Sequence, residues 1–422
     1  MSTADLRKRL NRVGIGRRTP NRSTASAEVV QDPTLEEPLS IEDVVSSQEI
    51  ETPAGTYYQI ESTVPLSDSH GPFELQEMLG VSPEVVAQLA YGGDTSNPDL
   101  SRLVFLDTET TGLAGGAGTL AFLVGVGFFD GNHFCVRQYF LRDPSEEVAL
   151  VAALAKLLEN CSGLVTFNGR TFDVPLLESR FLLARNHFDL RALLHLDLLP
   201  PARRLWRGRL ENCRLGTLEI EVLGIERTAV DVPGWMIPEI YTTYLRTGDA
   251  RELQRLIYHN EIDILSMVSL ATYLVEAYAD PLSEQRTGAD CLRLAIWLDK
   301  IRELEHAERA YQASLERIGD DDQQALALKR YGALLKRNNR RDEAVPLWSR
   351  LAKLTPGDPD SFVEIAKYYE WHAHDLPLAI DWTQQALEQV SKWPPTWQRD
   401  DVDAALQHRL ARLELKSSQT VA

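Results

Sequence analysis

A chain of 422 residues is too long for a single hydrophobic core and implies two or three domains. Hydrophobic residues make up 44% and charged residues 25%, and no run of roughly 18 uninterrupted apolar residues is present, so a membrane span is not expected. The formal net charge of −18 opposes general attraction to nucleic acid, although local patches decide such contacts.

Residues 1–50 read as a disordered tail, with a basic opening through Arg7, Arg12, Arg17, Arg18 and Arg22 followed by Ser/Thr-rich and acidic stretches. No apolar core of a signal sequence follows the basic residues. Cys135, Cys161, Cys213 and Cys291 are scattered without a Cys-x-x-Cys pair, which points to a reducing, cytoplasmic setting rather than zinc or a disulfide framework. Residues 51–98 read as an extension of the next domain. It holds a strand near 57–60 and a short helix over 83–89 with proline in its first turn, and it closes on the Gly/Asn/Pro run at 92–98.

Residues 103–113 form an apolar run that delivers Asp107 and Glu109 and then reaches Gly112. In a strand, residues two apart share a face, so these two acids point together while Thr108 points away. Side by side they need a cation, which suggests a hard metal ion held by oxygen; an isolated Asp-x-Glu also fits a solvated strand end. Apolar stretches at 120–127 and 134–140, with a turn at 130–132, make this strand the first of a three-strand meander. The glycines at 115–118 lack a Gly-Lys-Ser/Thr ending and read as a turn. A helix opens at Asp143-Pro144 and runs to about 160, and a short strand follows at 163–167.

Asp173 is a third candidate carboxylate, placed where that strand hands over to a helix; a helix N-terminal acid favoured by the dipole is the other reading. Within a helical pattern over about 249–279, His259 and Asp263 are four residues apart and share a face, while Tyr258 lies well round the helix. A neutral imidazole there suits proton abstraction, and a structural histidine remains the alternative. Between these segments Arg203, Arg204, Arg207, Arg209 and Arg214 surround Trp206. Such a stretch suits the phosphates and bases of a single strand, or an arginine-rich connector paired with acids. From about 285 the pattern is purely helical. A small residue followed by an aromatic recurs at Ala307/Tyr311, Ala344/Trp348 and Ala379/Trp382, close to the roughly 34-residue tetratricopeptide period.

Taken together, Asp107-x-Glu109, Asn168 to Asp173 and His259 to Asp263 resemble, in order and spacing, the three motifs of the DEDD superfamily of 3'–5' exonucleases. His195-Leu196-Asp197, Arg203 to Trp206, Cys213-Arg214-Leu215 and Asp231-Val232-Pro233-Gly234 are similar to the YprB-type group of RNase H-like exonucleases. The resemblance covers roughly 50–280. Asn168 precedes Asp173 by five residues rather than the commoner four, and His259 has a spacing typical of the tyrosine subtype, so the base stays open between His259 and Tyr258. The resemblance implies an α/β fold over 99–280, an RNase H-like mixed sheet flanked by helices; the recurring pairs themselves suggest an all-α, tetratricopeptide-like repeat domain over 285–415, with a generic helical bundle as the other reading. The resemblance also implies a cofactor of two Mg2+ or Mn2+ ions. Asp107 would bridge both ions, Glu109 and Asp263 would complete one site, Asp173 would help hold the second, and His259 would deprotonate the nucleophile. Single-stranded nucleic acid is the expected partner, touching Thr108, Asn168, Arg203, Arg204, Arg207 and Trp206, with a further protein partner at the repeats and no membrane. The competing expectation is an idle scaffold, which should have lost one of the four acids.

Overall fold

The computed structural model describes residues 37–92, 98–112, 118–228 and 231–421. The expected tail up to 36, most of the 92–98 break and the 115–117 glycines lie outside the described residues. Within 37–50 the tail expectation fails. Helix α1 (Ile41–Val44) leads into strand β1 (Ser47–Thr52), which pairs antiparallel with β2 (Gly55–Pro65) from Ser47↔Ile60 to Thr52↔Gly55. The polar sequence of β1 suits an edge strand, whose hydrogen bonds come from one neighbour.

The chain continues through β3 (Ser69–His70), β4 (Phe73–Glu74), α2 (Pro83–Leu89), β5 (Leu103–Thr110), β6 (Ala121–Asp130) and β7 (His133–Phe140). Then come α3 (Glu147–Leu158), β8 (Gly163–Thr166), α4 (Asp173–Leu183), β9 (Leu194–Asp197) and α5 (Leu199–Trp206). The main sheet has seven strands in the order β1-β2-β7-β6-β5-β8-β9. It is antiparallel up to β5, while β5, β8 and β9 run parallel. The expected meander is β5-β6-β7.

After α6 (Leu215–Leu218) and a π turn over Glu219–Leu223 come α7 (Ile237–Thr247) and the long α8 (Leu253–Ala279). By length and composition α8 could cross a membrane, contrary to expectation, yet 72% of its most apolar window is buried inside the fold. A run of helices follows: α9 (Gly288–Lys300), α10 (Leu304–Arg317), α11 (Asp321–Arg337), α12 (Arg341–Leu354), α13 (Asp360–Trp371), α14 (Leu376–Ser391) and α15 (Trp397–Val421). The recurrent small–aromatic pairs fall on α10, α12 and α14, one per helical pair.

Strand alternation divides the core in two. Leu103 and Phe105 join one apolar cluster and Val104 and Leu106 the other. Helix α8 serves both, with Leu253, Leu256 and Ile257 in the second cluster and Ile264 onward in the first. The polar residues His259, Asn260 and Asp263 occupy the crossover. Contact there depends on Gly125 of β6, the partner of Asp107, because a Cβ at 125 would lie 2.1 Å from Asn260 Oδ1 and 2.6 Å from Ile264 Cδ1.

Candidate active site

Asp107 and Glu109 continue the face of Leu103 and Phe105 and so meet α8. The Asn260 amide, fully buried, donates to Asp107 Oδ2 at 2.8 Å and accepts from Gln138 Nε2 at 2.8 Å, which fixes the amide and through it the carboxylate. Thr108 points to the other face, as alternation requires. Its hydroxyl donates to Asp173 Oδ1 at 2.5 Å, at the start of α4. The turn before α4 is organised from β9. Asp197, 2% exposed, accepts the backbone N–H groups of Asn168 at 2.8 Å and Arg170 at 3.2 Å on its two oxygens. Asn168 adopts a left-handed φ of 69°, and Gly169 passes so close to Thr166 that a Cβ would lie 2.4 Å from its hydroxyl.

These elements bring Asp107, Glu109, Asp173, Asp263 and His259 together. One ligand atom each from Glu109, His259 and Asp263 lies within 4.8 Å of the others. His259 Nε2 is 3.8 Å from Glu109 Oε1 and 3.6 Å from Asp263 Oδ2. His259, rather than Tyr258 about 100° round the helix, thus presents a ring nitrogen to the acids. On the far side of the ring, Nδ1 lies 2.6 Å from Asp231 Oδ1. Burial raises Asp231, but the hydrogen bond and charge of His259 and the charge of Arg227 outweigh it and hold the carboxyl below its usual range. Asp231 therefore accepts and Nδ1 keeps its hydrogen, with Nε2 turned toward the acids.

The electrostatics demand a counter-charge. Burial, then repulsion by Asp263 and Asp173, pushes Asp107 well above the carboxylate range; burial, then Asp107, does the same to Glu109. Burial likewise raises Asp263 and pushes Asp173 up to about 6. Buried carboxylates that must otherwise hold protons are the donor set of a hard divalent cation, and the residues present fit one. The cation within reach in the protein itself is Arg227. Its Nε and Nη2 donate to the two oxygens of buried Glu219 at 2.7 Å each, and Nη2 also donates to Asp263. A cleft of about 820 Å³ reaches Asp263 and His259, with Arg227, Asp231, Glu219 and Arg214 also in its walls, while Asp107, Glu109 and Asp173 are not among its lining residues.

A family model of the RNase H superfamily matches residues 104–275. The uncharacterized protein YprB of Bacillus subtilis (strain 168) is 32% identical over 334 residues, which span 78% of this chain and 79% of the relative. The chain belongs to the YprB family and carries an RNase H superfamily domain. The RNase H match starts at Val104 in β5 and ends at Val275 in α8, so it encloses all five of the residues that converge.

Away from these five residues the expected contacts are not gathered in the same way. Trp206 is 4% exposed and packs on Tyr273 with ring centroids 5.5 Å apart, so its indole is a core side chain and not a platform for a base. Arg209 is bound to Asp290 of α9, while Arg203, Arg204 and Arg207 sit on or just beyond α5 and are not among the cleft walls. Arg214 is. Sequence reasoning missed Arg227, Glu219 and Asn260, and it had no role for Asp231. The available signal was slight: Asn260 lies three residues before Asp263, on the same helix face, and Arg227 lies four before Asp231.

Proposed function

We propose that the protein is a 3'–5' exonuclease that hydrolyses phosphodiester bonds of single-stranded DNA or RNA with two Mg2+ or Mn2+ ions. The observation that carries this is the gathering of Glu109 and Asp263 around His259 Nε2, with Asp107 and Asp173 close enough to add their charge to the same cluster. Asp107, Glu109, Asp173 and Asp263 would hold the ions, which when bound activate a water and stabilise the leaving oxygen of an in-line displacement. His259 Nε2 takes the proton of the attacking water while Asp231 holds the ring by Nδ1–H. Asn260 and Thr108 aim Asp107 and Asp173. Arg203 and Arg207, exposed beyond the cleft, are offered as contacts to the strand's backbone.

In this reading 99–280 is the nuclease domain. Residues 285–415 form a tetratricopeptide-like array for a protein partner, supported by small–aromatic pairs on alternate helices. The four free cysteines suit a reducing cytoplasm.

The test is a 5'-labelled single strand incubated with purified protein and Mg2+ or Mn2+. A ladder shortening from the 3' end is expected, EDTA should stop it, and Asp107→Ala should reduce it at least ~10³-fold. Inert wild-type protein on both polymers, or an equally active Asp107→Ala variant, would favour a scaffold without catalysis.

A further inference from the structure

Arg227, unlike Arg214 in the same cleft, touches both His259 and Asp263, and its two edges have different surroundings. The inner edge is fixed. Glu219, 1% exposed, takes Nε–H and Nη2–H at 2.7 Å each, and a buried carboxylate left without its partner is strongly disfavoured, so the guanidinium cannot leave it cheaply. The outer edge is held loosely. Nη1 lies 3.0 Å from His259 Nδ1, but that nitrogen already gives its hydrogen to Asp231 and has no lone pair to offer. The oxygens of Asp231 stand 3.4 and 3.5 Å from Nη1, at the limit of hydrogen bonding. Nη2 finds Asp263.

We propose that Arg227, clamped from behind by Glu219, is the phosphate-binding residue of this cleft and holds the scissile phosphodiester of the substrate strand. The role rests on the nuclease reading above. A phosphodiester nearing Glu109, Asp231 and Asp263 meets negative charge on each side and needs a fixed positive partner. A planar fork of N–H donors matches phosphate oxygens two at a time. With Asp263 engaged by a divalent ion, its oxygen no longer competes for Nη2, and the outer edge of the guanidinium faces the cleft with both Nη groups available. Because Glu219 sets its position beforehand, no reorganisation is required when the strand arrives.

The experiment measures binding rather than turnover. A fluorescent single-stranded oligonucleotide is titrated with protein in Ca2+, which slows cleavage, once with an ordinary 3'-terminal linkage and once with an uncharged methylphosphonate there. Wild-type protein should prefer the charged linkage by about 10-fold to 10²-fold, the range of one charge-assisted hydrogen-bond pair. Arg227→Gln should abolish that preference and Arg227→Lys should restore part of it, whatever rise in Mn2+ affinity, read by calorimetric titration, follows from freeing Asp263. Since Arg227→Gln strands Glu219, the Glu219→Gln/Arg227→Gln double variant provides the same reading with a neutral pair, and melting curves show which variants are folded. If neither glutamine variant folds, Arg227→Lys decides: a preference as large as wild type overturns the role. Full discrimination retained in Arg227→Gln also overturns it. So does Mn2+ affinity raised tenfold with oligonucleotide binding unaltered, since the guanidinium would then be a stand-in for the ion. Wild-type protein that cleaves but ignores the terminal charge sinks this role alone, whereas wild-type protein that binds neither oligonucleotide sinks the nuclease reading with it.

Discussion

Asp231 decides which nitrogen of a neutral His259 ring carries hydrogen, so that in that form the acceptor is Nε2, the nitrogen turned toward the acids. Asp231→Ala removes the acceptor 2.6 Å from Nδ1, so the ring loses both its tautomer and its angle. The rate should fall about 10-fold to 10²-fold with KM little changed, and His259→Ala should cost on the order of 10²-fold to 10⁴-fold. Steady-state kinetics on the two variants checks this, and equal activity of Asp231→Ala would make the contact structural. A second consequence concerns pH. Asp107, Glu109, Asp263 and Asp173, the last pushed up to about 6, bind protons more tightly folded than unfolded. Their contribution to stability is therefore full below the ordinary carboxylate range and is lost as pH rises through about 6 and beyond. Divalent ions replace those protons, so Mn2+ should raise the melting temperature more at pH 8 than at pH 5. Equal shifts at the two pH values, measured against EDTA controls, would detach these carboxylates from ion binding. Four of the converging residues were legible in sequence because strand and helix periods put Asp107 with Glu109 and His259 with Asp263, whereas Asp173 was marked only by its place where a strand hands over to a helix. Arg227 and Glu219 were not, since a lone arginine in a loop and an acid in a short helix acquire a role only by meeting across the cleft.

Among the elements, β6 and α8 are coupled through a missing side chain. Gly125→Ala would drive a Cβ into Asn260 Oδ1 and Ile264 Cδ1, either displacing α8 or twisting the amide away from Asp107. Overpacking of this kind costs ~1–3 kcal/mol, which a urea denaturation midpoint reads directly. Nuclease activity should fall further than stability alone accounts for; a variant of wild-type stability and activity would show that the helix can shift freely. The glycine itself was visible in sequence as part of an apolar strand, but nothing there said what passes over it. The same limit applies to β1. Its polar run looked like tail because period and hydrophobicity carry the strand signal, whereas its place is set by backbone pairing to β2.

At the scale of the whole molecule, the helical pattern from 285 read in sequence as a separate module, yet the apolar cluster crosses that point without a break. It runs from Phe105 and Leu196 of the sheet through Leu274 and Tyr278 of α8 to Trp297, Tyr311 and Trp348 of the helices beyond. Tyr278 meets Trp297 edge-on with ring centroids 4.6 Å apart and donates to the Pro201 carbonyl at 3.1 Å, and Arg209 is bound to Asp290. Farther on, Phe362, Ala386, Val390 and Leu406 form a small cluster of their own with Ala352. Sequence period distinguishes helix from strand but does not say which helix faces are shared, so the change of character at 285 was legible and the continuity of the core was not. Two truncations separate the possibilities. Ending the chain at Asp280 would expose the outer face of α8 to water, and burial of each large apolar side chain is worth about 1.5–3 kcal/mol, so several lost together exceed the usual stability of a domain. That fragment should be insoluble or lack a cooperative melt, and it should lose nuclease activity although every site residue is present. Ending the chain at Pro356 keeps α9 to α12 and removes most of the small outer cluster. It should melt cooperatively with activity near that of the full chain, and a stable, active 1–280 fragment would instead make the helices a dispensable appendage.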